Sequence, residues 1–341
     1  MPLAFMRSSF DPLVRLLLLA IALASVAPVH GAAHDAAQQV SNAAVFVLFL
    51  LNGLRLPRAQ VLHGIGHWRL LLPLALWSFG AMALAGFGLW KLTDGTLQPM
   101  VAIGFLYLGT LPSTIQSATA YSSIAGGNVA VSVVAAALLN VVGVFITMPL
   151  FALLGGGEAV SLGYDGLIKI AIILLLPFAL GQVLQNRIGH LMRDHRTLAT
   201  WMDRISIAIA VYVAFSAAVE QGIWSLIGPG DWVLLLGGIL AFLGFGFGGA
   251  WLLARSLRLA RPDAIAMLFS GGQKSITMGA PLASILFPPA DAGLVLLPIL
   301  IYHLLQLVLS APLAKRLASQ PPPQPPLHDD CGGPTTTARS R

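Results

Sequence analysis

Ten apolar stretches, set apart by prolines, glycines and charged residues, fill most of the chain: 13–29, 38–56, 69–92, 97–125, 128–154, 164–185, 202–224, 231–254, 263–287 and 290–313. At about 1.5 Å of rise per residue, such a stretch wound as a helix crosses a hydrocarbon core of about 30 Å. The pattern therefore predicts an all-α polytopic membrane protein. The first stretch is preceded by Arg7, carries Arg15 near its start and Pro28 near its end, and is followed by Gly31 and small residues. It reads equally as a secretory signal peptide cleaved near Ala32 or Ala33 and as a first transmembrane helix.

Two stretches break the apolar pattern at their centres. In 263–287, Gly271 and Gly272 weaken the helix, and Ser270, Gln273, Ser275 and Thr277 bring hydrogen-bonding groups to bilayer depth. Lys274 adds a charge, which at a helix centre costs about 2.5–3.5 kcal/mol on insertion scales. In 97–125, Pro112 removes a helical N–H, and Ser113, Thr114, Gln116 and Ser117 follow it to satisfy the freed backbone. Non-helical backbone is expected near 113–116 and 270–274, with the two breaks close in space. Half-helix ends carry partial charge of both signs, so two breaks meeting at the midplane can hold an anion and a cation together.

Composition and charge support the membrane reading. The 341 residues are 57% hydrophobic and only 9% charged, where a soluble domain carries about 25% charged residues. The net charge of +6 comes from basic residues scattered between apolar runs, which suits membrane orientation rather than nucleic acid. With both termini cytoplasmic, 19 Lys and Arg divide so that Lys91 and Lys169 alone lie in outer loops and Lys274 lies in the membrane. The single cysteine, Cys331, excludes an internal disulfide framework. No zinc-type His-Glu-x-x-His, phosphate loop or Gly-x-Ser-x-Gly elbow is present, so no enzyme chemistry is expected.

Ten stretches divide into two sets of five, and an odd number per set makes the halves run in opposite directions. Gln116-Ser117 and Gln273-Lys274-Ser275 sit 273 − 116 = 157 positions apart, and the same shift roughly superimposes the preceding stretches. Inverted repeats with matching interrupted helices point to a secondary-transporter site. Residues 318–341 are Pro-rich, then carry Asp329-Asp330, Gly332-Gly333 and a Thr run, and read as a disordered cytoplasmic tail behind a transporter domain spanning 1–317.

The run from Leu111 to Ser117 (Leu-Pro-Ser-Thr-Ile-Gln-Ser) and Ser123-Ile-Ala-Gly-Gly-Asn128-Val-Ala resemble the bile acid:sodium symporter family. So do Phe49-Leu-Leu-Asn-Gly-Leu-Arg-Leu56, His67-Trp-Arg69, Gln273-Lys-Ser275 and Ile301-Tyr-His-Leu-Leu-Gln306. They are most similar to its bacterial carriers related to a eukaryotic member linked to calcium regulation. The resemblance implies ten helices in two inverted five-helix repeats. The broken fourth and ninth helices would cross in a core domain (segments three to five and eight to ten) packed against a panel domain (one, two, six and seven). It also implies a Na⁺ site whose Ser falls at Ser117, with Ser132 matching in the fifth helix. The family's Asn position, however, reads Ala118 or Thr119, Ala136 replaces a Thr, and Phe269 stands where a carboxylate would be. Lys274 stands where the family has a neutral Asn, and an ammonium there could take over the ion's charge.

The expectation is a multi-pass transporter of the inner or plasma membrane, working by alternating access on a small organic anion. Ser113, Thr114, Gln116, Ser117, Asn128, Ser132, Gln273, Lys274, Ser275 and Thr277 are the candidate substrate and ion ligands. A Na⁺ would sit at Ser117, Ser132 and Gln273. Coupling by Na⁺, by protons or by neither stays open, as do the substrate and the oligomeric state. The partners expected are the organic anion and the lipid bilayer, with no nucleic acid. The alternative is a non-transporting regulatory or scaffold protein on the same fold. Asn52, Asn140, His303 and Gln306 read more simply as polar contacts between helices.

Overall fold

The computed structural model of the protein describes residues 11–55, 68–159 and 171–319, and among them there is no strand. The helices are α1 (Pro12–Val26), α2 (Gly31–Arg55), α3 (Trp68–Thr93), α4 (Pro99–Thr110), α5 (Gln116–Ile124) and α6 (Val129–Ala159). They continue as α7 (Leu176–Asp194), α8 (Arg196–Glu220), α9 (Pro229–Ser256), α10 (Arg261–Gly272), α11 (Ile276–Leu286) and α12 (Pro289–Ala318). By length and composition, seven helices of the described residues can cross a membrane: α2, α3, α6, α7 with the turn before it, α8, α9 and α12. The start of the sixth apolar stretch, Lys169 and most of the C-terminal tail lie outside the described residues.

Prolines set many of the helix starts. Pro12, Pro99, Pro229 and Pro289 each occupy the first turn, where the missing N–H has no partner to lose. Side chains cap the same ends: Asp11 Oδ1 accepts from Leu13 N–H at 2.8 Å and Gln98 Oε1 from Val101 N–H at 2.9 Å. Helix α2 starts at Gly31, well before the expected 38, because the Ala-rich lead-in has high helix propensity although it is not apolar. Gly222, at φ +79°, ends the turn after α8, short of the expected 224. Helix α3 carries a π-turn, Trp77–Ala81, just after Pro73. There Met82 N–H reaches back to Trp77 O, so Ser78 O loses its usual helical partner.

Packing sorts the helices into two groups. Helices α1, α2, α7 and α8 lie against one another, and the first of them buries Leu13, Leu17 and Ala24 against α8. Helices α3 to α6 and α9 to α12 form the second group, which α8 meets through α11 and α12. In that second group Tyr107, Phe151 and Phe287 meet edge-on, with ring centroids 5.5–5.6 Å apart, and tie α4, α6 and the end of α11 together.

The contact between α2 and α7 admits only glycine. A Cβ on Gly53 of α2 would stand 2.3 Å from Phe178 O of α7, and one on Gly181 would stand 2.4 Å from Leu50 O. The two backbones therefore touch, as small residues allow between membrane helices. Gly53→Leu is expected to pry α2 from α7 at a cost of about 3 kcal/mol, the upper end for overpacking, or more. Melting of the purified protein in detergent checks this, with Gly88→Ala, which meets nothing within 4 Å, as the neutral control.

Candidate functional site

Both interrupted stretches open into extended backbone, and the openings meet. Helix α4 ends at Thr110, residues 111–115 are non-helical, and α5 resumes at Gln116. Helix α10 ends at Gly272, residues 273–275 are non-helical, and α11 resumes at Ile276. Ser275 N–H donates to Pro112 O at 2.9 Å, so the strand-like segments are joined through their backbones. The breaks are shifted from the expected 113–116 and 270–274. Gln116 starts α5, and Ser270 is still helical because two glycines weaken a helix without ending it.

Lys274 is buried at this crossing, and its ammonium is spent on backbone. Nζ donates to Ser78 O at 3.0 Å, Gly109 O at 2.9 Å and Leu111 O at 2.7 Å. The first oxygen is the one displaced by the π-turn of α3. The other two belong to the C-terminal end of α4, where carbonyls lack helical partners and the helix dipole is negative. Three acceptors match the three N–H bonds of an ammonium. Gln306 fixes the backbone of the same residue: its Oε1 accepts from Lys274 N–H at 2.8 Å and its Nε2 donates to Lys274 O at 3.0 Å. A side chain expected to face an anionic cargo instead closes the broken end of a half-helix.

Thr114, Ser117 and Gln273 form one polar knot. Gln273 Oε1 accepts from Thr114 Oγ1 at 2.7 Å and from Ser117 Oγ at 2.6 Å, while Nε2 donates to Ser310 Oγ at 3.1 Å. Ser132 belongs to a second knot, with Ser122 at 3.3 Å and Ser270 at 3.4 Å. A Na⁺ on Ser117, Ser132 and Gln273 would have to take Gln273 Oε1 from two hydroxyls and draw Ser132 from its own partners. The position of the expected carboxylate, Phe269, stacks on Tyr121 at 5.9 Å and meets Phe247 edge-on.

The remaining predicted residues divide between the cavity and the frame. A cavity of about 980 Å³ is walled by Thr114, Gln116, Ser117, Ser275 and Thr277 at the breaks, and by residues of α1, α2, α6, α7, α8 and α12 elsewhere. Ser113 turns its carbonyl to Asn140 Nδ2 at 2.8 Å and keeps a buried hydroxyl without a partner among the described residues. Asn128 stands apart: its Oδ1 caps α6 through Val131 N–H at 3.1 Å and its Nδ2 holds Asp263 at 2.8 Å. His303 also walls the cavity; its Nδ1 is paired with Gln306 Nε2 at 2.8 Å, and its buried Nε2 has no partner among the described residues. With Gln306 donating to Nδ1, the hydrogen-bond network puts the ring proton on Nε2.

The cavity wall also carries Asp11, Arg55 and Asp203, while Arg204 lies beside it. Arg55, at the end of α2, pairs with Asp203 of α8, and Arg204 reaches Asp11 at 3.4 Å. Asp203 is the one buried carboxylate among the described residues. No group of three or more His, Cys, Asp or Glu side chains that could hold a metal occurs among the described residues.

Comparison with known proteins places the chain in context. The profile of the SBF-like CPA transporter family matches residues 11–319. "Putative symporter YfeH" of Escherichia coli (strain K12) is 35% identical over 312 residues, 91% of this chain and 93% of its own length. "Uncharacterized protein PA2026" of Pseudomonas aeruginosa is 35% identical over 306 residues, 89% of this chain and 91% of its own length. "Sodium/bile acid cotransporter 7" of Mus musculus is 22% identical over 306 residues, 82% of this chain and 83% of its own length.

Proposed function

This chain belongs to the SBF-like CPA transporter family, and from that premise we propose that it is a secondary transporter of a small organic anion, working by alternating access without a bound Na⁺. The observation that carries this reading is the cavity, which runs from the charged ends of α2 and α8 to the two helix breaks. A fold that had given up transport would have no need of a cavity of this size reaching its broken helices. The two packed groups support a core of α3–α6 and α9–α12 moving against a panel of α1, α2, α7 and α8. On this reading the ten segments are two inverted repeats, and α1 is a retained first helix rather than a cleaved signal. Arg55 and Arg196 at the cavity mouth then mark the cytoplasmic side, so the cavity faces inward in an inner or plasma membrane. The anionic cargo follows from the names of relatives such as the bile acid cotransporter.

Proteoliposomes test this reading with taurocholate, benzoate and succinate as cargo. Saturable uptake of at least one, with counterflow against the same unlabelled anion, is the expected result. Absence of flux for all three would favour the regulatory or scaffold role and overturn the carrier reading.

A further inference from the structure

We propose that Arg55 is the receptor for the anionic group of the cargo, and that Asp203 is a built-in competitor which the cargo displaces. The proposal rests on the carrier reading above and names the residue that would recognise the cargo.

The ammonium of Lys274 is excluded as that receptor, because its N–H bonds end on Ser78 O, Gly109 O and Leu111 O. An anion entering the membrane-embedded cavity must find its positive partner elsewhere, since an unpaired charge away from water is costly. Of the cationic residues on the cavity wall, Arg196 is exposed at the rim, whereas the Arg55 side chain is only 27% exposed. Arg55 is also the better chemistry: a guanidinium offers a planar fork that binds a carboxylate through two parallel N–H bonds.

That fork is half used. Arg55 Nη1 donates to Asp203 Oδ2, while the buried Arg55 Nη2 and the buried Asp203 Oδ1 have no hydrogen-bond partner among the described residues. A pair built only to tie α2 to α8 would gain by closing both bonds, because buried donors and acceptors left over carry the full desolvation cost. Here the open donor and the open acceptor both belong to residues lining the cavity. Both atoms are shut off from the cavity while the pair stands, so an incoming carboxylate or sulfonate has to swing Asp203 aside and then takes Nη1 and Nη2 together. The empty carrier keeps its guanidinium compensated by Asp203, and the loaded carrier has it compensated by the cargo. The helices that carry the pair both belong to the group proposed as the panel, while Thr114, Ser117 and His303 line the cavity from the other group. Cargo held by Arg55 would therefore touch both moving parts.

The test uses the panel anion that wild-type protein takes up fastest in proteoliposomes. Removing Arg55 alone would strand Asp203 and risks misfolding, so the main variant is the neutral pair Arg55→Gln with Asp203→Asn, checked by size exclusion and melting. Its uptake at low anion concentration is expected to fall about tenfold or more, the scale for losing a buried charged partner. The charge swap, Arg55→Asp with Asp203→Arg, keeps an ion pair but moves the guanidinium, and is expected to fold and remain deficient. Asp203→Asn alone is expected to lower KM, since it removes the competitor and keeps the receptor. Wild-type uptake in the neutral pair, recovery in the swap, or a raised KM in Asp203→Asn would overturn the proposal and leave Arg55–Asp203 a structural tie. Those results would leave the carrier reading standing, whereas wild-type protein that moves none of the three anions would bring down both.

Discussion

Lys274→Met is expected to leave little folded protein, through loss of the crossing rather than loss of a cargo charge. The substitution keeps a long apolar stem but removes every donor from Ser78 O, Gly109 O and Leu111 O. Methionine cannot replace them, and the site is buried, so water has no easy access. Each abandoned acceptor costs about 1–3 kcal/mol. Three together cost about 3–9 kcal/mol, the same order as the about 5–15 kcal/mol that holds a typical domain. Swapping a buried ion pair for packed hydrophobics can be neutral when both partners go. Here only one partner goes, because the acceptors are main chain and remain. Lys274→Arg is expected to recover little, since a planar guanidinium cannot reproduce three bonds radiating from one nitrogen. Melting in detergent, followed by tryptophan fluorescence, separates the alternatives. If Lys274→Met melts like wild type and loses only anion uptake, the ammonium is a cargo contact after all and the cage interpretation fails.

The contrast between Lys274 and Arg55 shows what could be read along the chain. Both breaks were legible, because Pro112 and Gly271-Gly272 disrupt helices by local chemistry and polar residues at bilayer depth need partners. Most helix starts were legible too, since Pro12, Pro99, Pro229 and Pro289 act through their own missing N–H. The family was legible from motifs spread over the chain, and the profile match over residues 11–319 identifies it independently. Depth can be read in this way, but azimuth cannot. Nothing in Gln273-Lys274-Ser275 says that Lys274 turns toward α3 and α4, because that depends on a π-turn in α3 that Pro73 alone does not announce. Arg55 looked like one more inner-loop cation at a helix end. Its burial needs Asp203, 148 residues away, to arrive beside it. Asn128 shows the same limit from the other side: nothing in its motif says that its side chain caps α6 and holds Asp263.

Uptake is expected to proceed at the same rate in Na⁺ and in choline, because the place a monovalent cation would favour already holds one. Three carbonyl oxygens at the negative end of α4 and the π-turn of α3 converge on a single point, and the Lys274 ammonium occupies it. That cation is tethered to the chain, so dissolved Na⁺ must displace it while also shedding its own water, with no buried carboxylate among the residues of the crossing to help. The comparison that exposes the cage is Lys274→Ala, which shortens the stem and opens the oxygens. Like Lys274→Met, the variant should leave little folded protein in choline chloride, and NaCl should raise the folded yield read by size exclusion where choline chloride does not. At a Na⁺ concentration ten times its dissociation constant the recovery would be about 1.4 kcal/mol, the stabilisation any ligand of the folded state provides at that ratio. Wild-type melting should not respond, since its cage is filled at every salt composition. The outcome that sinks this account is wild-type uptake driven by a Na⁺ gradient at constant pH. In that case Ser117, Ser132 and Gln273 must release their present partners to form a working Na⁺ site, and Lys274 would be a structural cation beside a sodium symporter rather than the substitute for its ion.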